Sequence, residues 1–133
     1  EEKQTFDEIV DKIASTNNLR EPEITEENLI KSAITGNIPA LLARGGLKPV
    51  SYCLVFHYLM NNPNKTLHEI CGAIHRPYST VVYAAATLKR YFNFVKGDGR
   101  GAYNLKLSLT TTATQKIAEA KQKISGTSPI SNP

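Results

Sequence analysis

Arg100 stands inside Gly97-Asp98-Gly99-Arg100-Gly101, one cation among three glycines. A guanidinium presents its donors in a rigid fork that suits carboxylates and phosphates. Glycines beside it let the backbone approach a phosphate chain closely, because no side chain holds it off. Asp98, two residues earlier, is placed to orient the guanidinium by a charge-assisted hydrogen bond. The plainer reading is a turn that is glycine-rich for its own geometry, with both charges in water. A second cluster is His68, Cys71 and His75, at i, i+3 and i+7, three nitrogen and sulfur ligand types along one helical side. Cys71 also belongs to the apolar stripe of Leu67, Ile70 and Ile74, and no fourth ligand is evident, so no metal is expected. There is no phosphate loop, nucleotide fingerprint or serine elbow. Only three acidic residues follow Gly46, which leaves little for acid–base or two-metal chemistry. Neither an enzyme nor a cofactor is expected.

The elements that must carry these residues follow from caps and periodicity. Thr5-Phe-Asp-Glu8 is a capping box ahead of Phe6, Ile9, Val10 and Ile13 at helical spacing. A second helix starts near Thr25, with Ile24 and Leu29 spaced as a hydrophobic staple, and Gly36 suits its end. Pro39 to Arg44 reads as a short helical turn closed by Gly45-Gly46. The run SYCLVFHYLMNN is a helix in which Cys53, Phe56, Leu59 and Met60 are too apolar for exposure. His57 reads as a core-edge histidine. Thr66 caps LHEICGAI, HRPY makes a turn, and Ser79 caps a helix running to Phe92. Its buried stripe is Val81, Ala84, Ala85, Leu88 and Phe92, and Asn93 suits a left-handed end. FVKG and AYNLKLSLT alternate as two strands around GDGRG, and a last helix runs from about Thr110 to Ser125 before a polar tail.

Helix, helix, turn, helix, strand, loop, strand, helix is the order of a winged helix-turn-helix. The fold class expected is therefore mainly α with a small β-hairpin (α+β), a winged helix-turn-helix with extra N-terminal helices. Residues 1–46 form a helical extension suited to dimerisation or partner binding, residues 47–125 the winged domain, and residues 126–133 a flexible tail. At 133 residues the chain is enough for one real core, and its 41% hydrophobic and 21% charged content is ordinary for a globular protein. No apolar run approaches the roughly 18 residues of a membrane span. The chain does not begin with Met and lacks a signal-like start, as a trimmed or internal piece of a longer protein would. Its two cysteines, both in apolar helical patterns, suit reduced thiols in a cytoplasmic protein, which would be nucleoid-associated if its partner is DNA. Residues 1–46 carry a net charge of −4 and residues 47–133 a net +8, an asymmetry that points the second part at a polyanion.

In this architecture the helix from Ser79 meets the major groove of double-stranded DNA and the hairpin reaches backbone or minor groove. Tyr78, Ser79 and Thr80 then offer hydroxyls and helix-terminal N–H groups to phosphates. Val82, Tyr83, Ala86 and Thr87 project away from the core stripe, an apolar surface that fits thymine methyls or a protein partner. Arg76, Lys89, Arg90, Lys96 and Arg100 are candidates for phosphates, with Lys65 extending the patch. The stretch from Ser79 to Ile117 resembles the recognition-helix, wing and post-wing pattern of MarR-like winged-helix transcription factors, a resemblance that extends over about Pro49 to Ile124. Asp98-Gly-Arg100 and Leu109-Thr110 stand where that family shows Asp-x-Arg and a strand ending in Leu-Thr. The resemblance implies Arg100 in a minor groove and a transcriptional regulator acting as a homodimer. Ala113 replaces the family's glycine, and only one helix follows the wing, so a dimer contact is expected from the helices before Gly45. Two further readings fit the same order: a plasmid or viral partition or replication-origin factor, and a winged-helix module that binds another protein.

Overall fold

Three threonines start three helices. A computed structural model of the protein describes residues 5–16, 24–36, 47–101 and 104–125. Helix α1 (Phe6–Thr16) opens with the expected capping box: the Thr5 N–H donates to Glu8 Oε1 at 2.9 Å, and the Glu8 N–H donates to Thr5 Oγ1 at 3.3 Å. In α2 (Glu26–Thr35) the Thr25 hydroxyl accepts from the Asn28 N–H, Ile24 and Leu29 are both buried, and Gly36 ends the helix at φ 74°. Helix α3 (Leu47–Asn61) begins earlier than SYCLVFHYLMNN. It is buried nearly all round, through Tyr52, Cys53, Val55, Phe56 and Leu59, because α2, the next two helices of the chain and the sheet all pack on it. The turn expected at Pro39–Arg44, Ala102 and Tyr103 at the start of the expected strand AYNLKLSLT, and the tail after Ser125 lie outside the described residues.

A two-residue strand β1 (Lys65–Thr66) leads into α4 (Leu67–Ile74), where Thr66 and Glu69 complete a second capping box. His75 adopts a left-handed φ of 58° at the end of α4, and Arg76-Pro77 turns the chain into α5 (Tyr78–Thr87). That helix starts two residues sooner than the Ser79 cap anticipated, at Tyr78 and not Thr80. Pro77 is the capping residue, with φ −62° and no side-chain bond, because its ring fixes an extended-to-helical entry by itself. The last turn, Leu88–Phe92, widens to a π-helical turn and ends at Asn93 with φ 58°. Strands β2 (Val95–Asp98) and β3 (Lys106–Leu109) pair antiparallel, and β1 joins β3 on its other side, giving the order β1-β3-β2. Helix α6 (Thr111–Ser125) packs back onto α2, and Lys116 forms an ion pair with Glu26 there.

The protein is thus mostly helical with a small three-stranded antiparallel sheet. One buried cluster draws Phe6, Val10, Leu29 and Ala33 together with Phe56, Leu88, Phe94, Leu107 and Ile117, from both sides of Gly46. Phe94 stacks on Phe56 at 5.3 Å and on Phe92 at 5.5 Å, tying the start of β2 to α3 and to the end of the π turn. Thr110 closes the hairpin from outside it. Its N–H donates to the Phe94 carbonyl (2.9 Å) and its hydroxyl to the Asn93 carbonyl (2.8 Å), while that same oxygen accepts from the Ala113 N–H at the head of α6. In α3, His57 Nδ1 lies 2.7 Å from the Ala33 carbonyl oxygen, so Nδ1 carries the proton and donates it. Burial pushes the Cys53 thiol up to about 12. Among the described residues no helix is long and apolar enough to cross a membrane.

Candidate nucleic-acid interface

Helix α5 presents less of itself than its sequence suggests. Tyr78 and Ser79 are exposed, and Thr80 and Tyr83 are half-buried. Of the face expected to project outward, Val82, Ala86 and Thr87 are instead buried, so the apolar surface proposed for thymine methyls or a partner is not available. Helix α1 packs along α5, which α3 and α4 also cover. Val82 and Ala86 lie on the helical line that continues to Lys89 and Arg90. Both of those cations meet carboxylates of α1: Lys89 Nζ is 3.3 Å from Asp7, and Arg90 is 3.7 Å from Asp11. The aspartates are 75% and 78% exposed, so each pair contributes only about 0–1 kcal/mol.

The glycines of the hairpin are required by the fold itself. A Cβ on Gly97 would lie 2.4 Å from Phe6 Cβ, because α1 begins directly on β2. A Cβ on Gly99 would lie 2.6 Å from the Asn104 carbonyl oxygen, and Gly99 and Gly101 hold φ of 95° and 85° that side chains disfavour. The plainer reading of GDGRG therefore accounts for its composition. Among the described residues no hydrogen bond or ion pair links Asp98 to Arg100; Asp98 faces Lys106 across the ladder. Arg100 is exposed at the tip and Lys96 is exposed on β2.

Register fixes which side chains share the sheet's outer face. Leu107 points into the core, so its neighbours Lys106 and Ser108 point out, with Thr66 and Asp98 beside the first and Lys96 beside the second. The Ser108 hydroxyl donates to Asn64 Oδ1 at 2.7 Å and accepts from the Asn64 N–H. Lys106 is a cation that the sequence reading passed over. Its place between Leu105 and Leu107 in an alternating strand was the signal that it faces solvent.

From Lys106 the surface runs on to α5. The Thr66 backbone N–H holds the Glu69 carboxyl below its ordinary value, with Lys65 and Lys106 adding to the effect, which puts both lysines within electrostatic reach of the first turn of α4. His68, in that turn, stacks on Tyr78 at 4.9 Å. Tyr78 is 40% exposed, and its hydroxyl is pushed up by burial and by Cys71 beside it. Arg76 is half-buried and donates to the His75 carbonyl at 3.3 Å.

The site residues read from sequence thus fall into two groups. Lys96, Arg100, Arg76, Tyr78, Ser79, Thr80 and Tyr83 lie on the hairpin and the first turns of α5, with Lys65 and Lys106 between them. Lys89 and Arg90 sit under the acidic side of α1. Among the described residues no group of three or more His, Cys, Asp and Glu is placed to hold a metal ion. Comparison of the chain with protein-family models, curated proteins and solved structures returns no match.

Proposed function

We propose that this is a non-catalytic double-stranded DNA-binding protein of winged helix-turn-helix architecture, a transcriptional regulator acting as a homodimer. In this reading α4 and α5 are the helix-turn-helix pair and β2–β3 the wing. The observation that carries it is the unbroken surface from Lys96 and Lys106 on the sheet, past Lys65 and His68, to Tyr78 and Ser79 at the start of α5. Residues 47–133 hold eleven Lys and Arg against three acids; Glu69 and Asp98 lie on this surface, but Lys65, Arg76, Lys96, Arg100 and Lys106 outnumber them there, so its field favours a polyanion. The open groove between α2 and α6 offers no such bias, since Glu26, Glu27 and Glu119 alternate there with Lys31, Lys116 and Lys123.

The cover of α1 over α5 shapes the reading. Base contacts come from the exposed N-terminal end of α5, through Tyr78, Ser79, Thr80 and Tyr83, and phosphate contacts from Arg76, Lys96, Arg100 and Lys106. The test is fluorescence anisotropy with a mixed-sequence duplex across a salt series. Each of Arg100→Ala and Lys106→Ala is expected to weaken binding and flatten the slope of log K against log salt by about 1. Lys123→Ala, on the α2–α6 side, leaves the slope unchanged. No binding at low salt by the folded protein overturns the reading in favour of a protein-interaction module.

A further inference from the structure

We propose that α1 is a displaceable acidic cover: the line of α5 beneath it, ending at Lys89 and Arg90, is further polyanion-binding surface, and a bound polyanion takes the place of Asp7 and Asp11. The proposal rests on the polyanion-binding reading above and extends it to the part of α5 that reading leaves out.

Charge sets the pairing. Helix α1 carries Asp7, Glu8 and Asp11 against Lys12, and two of its carboxylates, one helical turn apart, meet two consecutive cations. Among residues 47–133 acids are few, so the acidic element set against this helix comes from the other end of the chain. Both aspartates are mostly in water, where phosphates can compete for the same cations and salt screens the pairs. A phosphate backbone would offer Lys89 and Arg90 the same kind of partner in greater number.

The docking is also of the kind that opens locally. At eleven residues α1 is shorter than the roughly 12–15 at which an isolated helix persists in water. It is held by Phe6 and Val10, which are buried, and by Ile9 and Ile13, which are half-buried. A short element held by few buried side chains opens at less cost than the whole molecule. Opening it uncovers Val82 and Ala86, which lead to Lys89 and Arg90 and restore the outward face the sequence of α5 suggests.

The test uses the full chain with two probes, a mixed-sequence duplex and inorganic polyphosphate, and reads amide hydrogen exchange in α1 and α3 together with binding. At saturation with either probe, α1 amides are expected to exchange about tenfold faster or more while α3 amides do not. Asp7→Asn with Asp11→Asn, which keeps α1's apolar contacts, is expected to bind duplex about tenfold more tightly, and adding Lys89→Ala and Arg90→Ala removes that gain. Unchanged or greater protection of α1 at saturating duplex overturns the cover while the DNA reading stands. Loosening by polyphosphate without any duplex binding keeps the cover and defeats the DNA reading. Binding of neither probe overturns both.

Discussion

Gly97→Ala tests the contact that places α1. The new Cβ would lie 2.4 Å from Phe6 Cβ, 2.9 Å from Phe6 Cγ and 3.0 Å from Leu105 Cδ1. The nearest atom is the Cβ of Phe6, so rotating the phenyl ring cannot relieve the overlap, and the start of α1 has to lift from β2. Overpacking of this kind costs about 1–3 kcal/mol. Full undocking would expose Phe6 and Val10, at about 1.5–3 kcal/mol for each side chain, which sets a ceiling near 6 kcal/mol. A partial lift puts the expected loss at about 2–4 kcal/mol, which a domain of this size survives if it has the usual 5–15 kcal/mol of about that order. The assay is urea unfolding of four proteins: parent, Gly97→Ala, Phe6→Gly and the double variant. Phe6→Gly removes both clashing atoms and is itself costly, at about 3–5 kcal/mol. In its background Gly97→Ala should cost about 0.5 kcal/mol or less, since alanine suits a strand better than glycine. Equal costs in the two backgrounds, or a single variant as stable as the parent, would refute the placement of Phe6 on β2.

Cys53 and Cys71 should separate in thiol labelling read by mass at neutral pH. Cys71, half-buried, reacts with the folded protein, whereas Cys53, whose thiol burial holds near 12, reacts only as the protein unfolds; equal rates would refute the burial of α3. Glu69 should contribute to stability in a pH-dependent way. Its carboxyl is held below the ordinary 4.5 by the Thr66 N–H, so the advantage over Glu69→Gln is present above 4.5 and is lost as the pH falls through the lowered folded value. Urea unfolding of both proteins at neutral pH and well below 4.5 checks this, and a difference that grows in acid would contradict the capping box.

Local chemistry was legible in the sequence, and long-range covering was not. Thr5, Thr25 and Thr66 cap helices because each meets a donor three residues on, and Gly36 and Asn93 end helices because left-handed φ suits them. Those are contacts within one turn. The cover along the line of Val82, Ala86, Lys89 and Arg90 comes from a helix more than sixty residues earlier in the chain, and no periodicity within α5 encodes it. Indeed α5 reads apolar on both sides because it is covered on both. Strand β1 was missed for a related reason: two residues carry no alternation, and Lys65–Thr66 is a strand only because β3 lies beside it. Of the candidate site, the exposed hairpin cations and the start of α5 were readable from pattern. The engagement of Lys89 and Arg90 by α1 was not.

Thr110 has a consequence for how this molecule can vary. Because it binds both Asn93 and Phe94 and starts α6, the two legs of the hairpin are clamped at their root by a residue belonging to neither. Phe94 is anchored in turn on Phe56. The spacing between β2 and β3 is thereby set at the root, independently of the side chain that stands at Arg100. The exposed side chains at the tip, Arg100 among them, can be exchanged while Gly99 and Gly101 hold their backbone and the helices keep their places, so one core can carry tips of different polarity. A protein built in this way can change what it touches without learning to fold again.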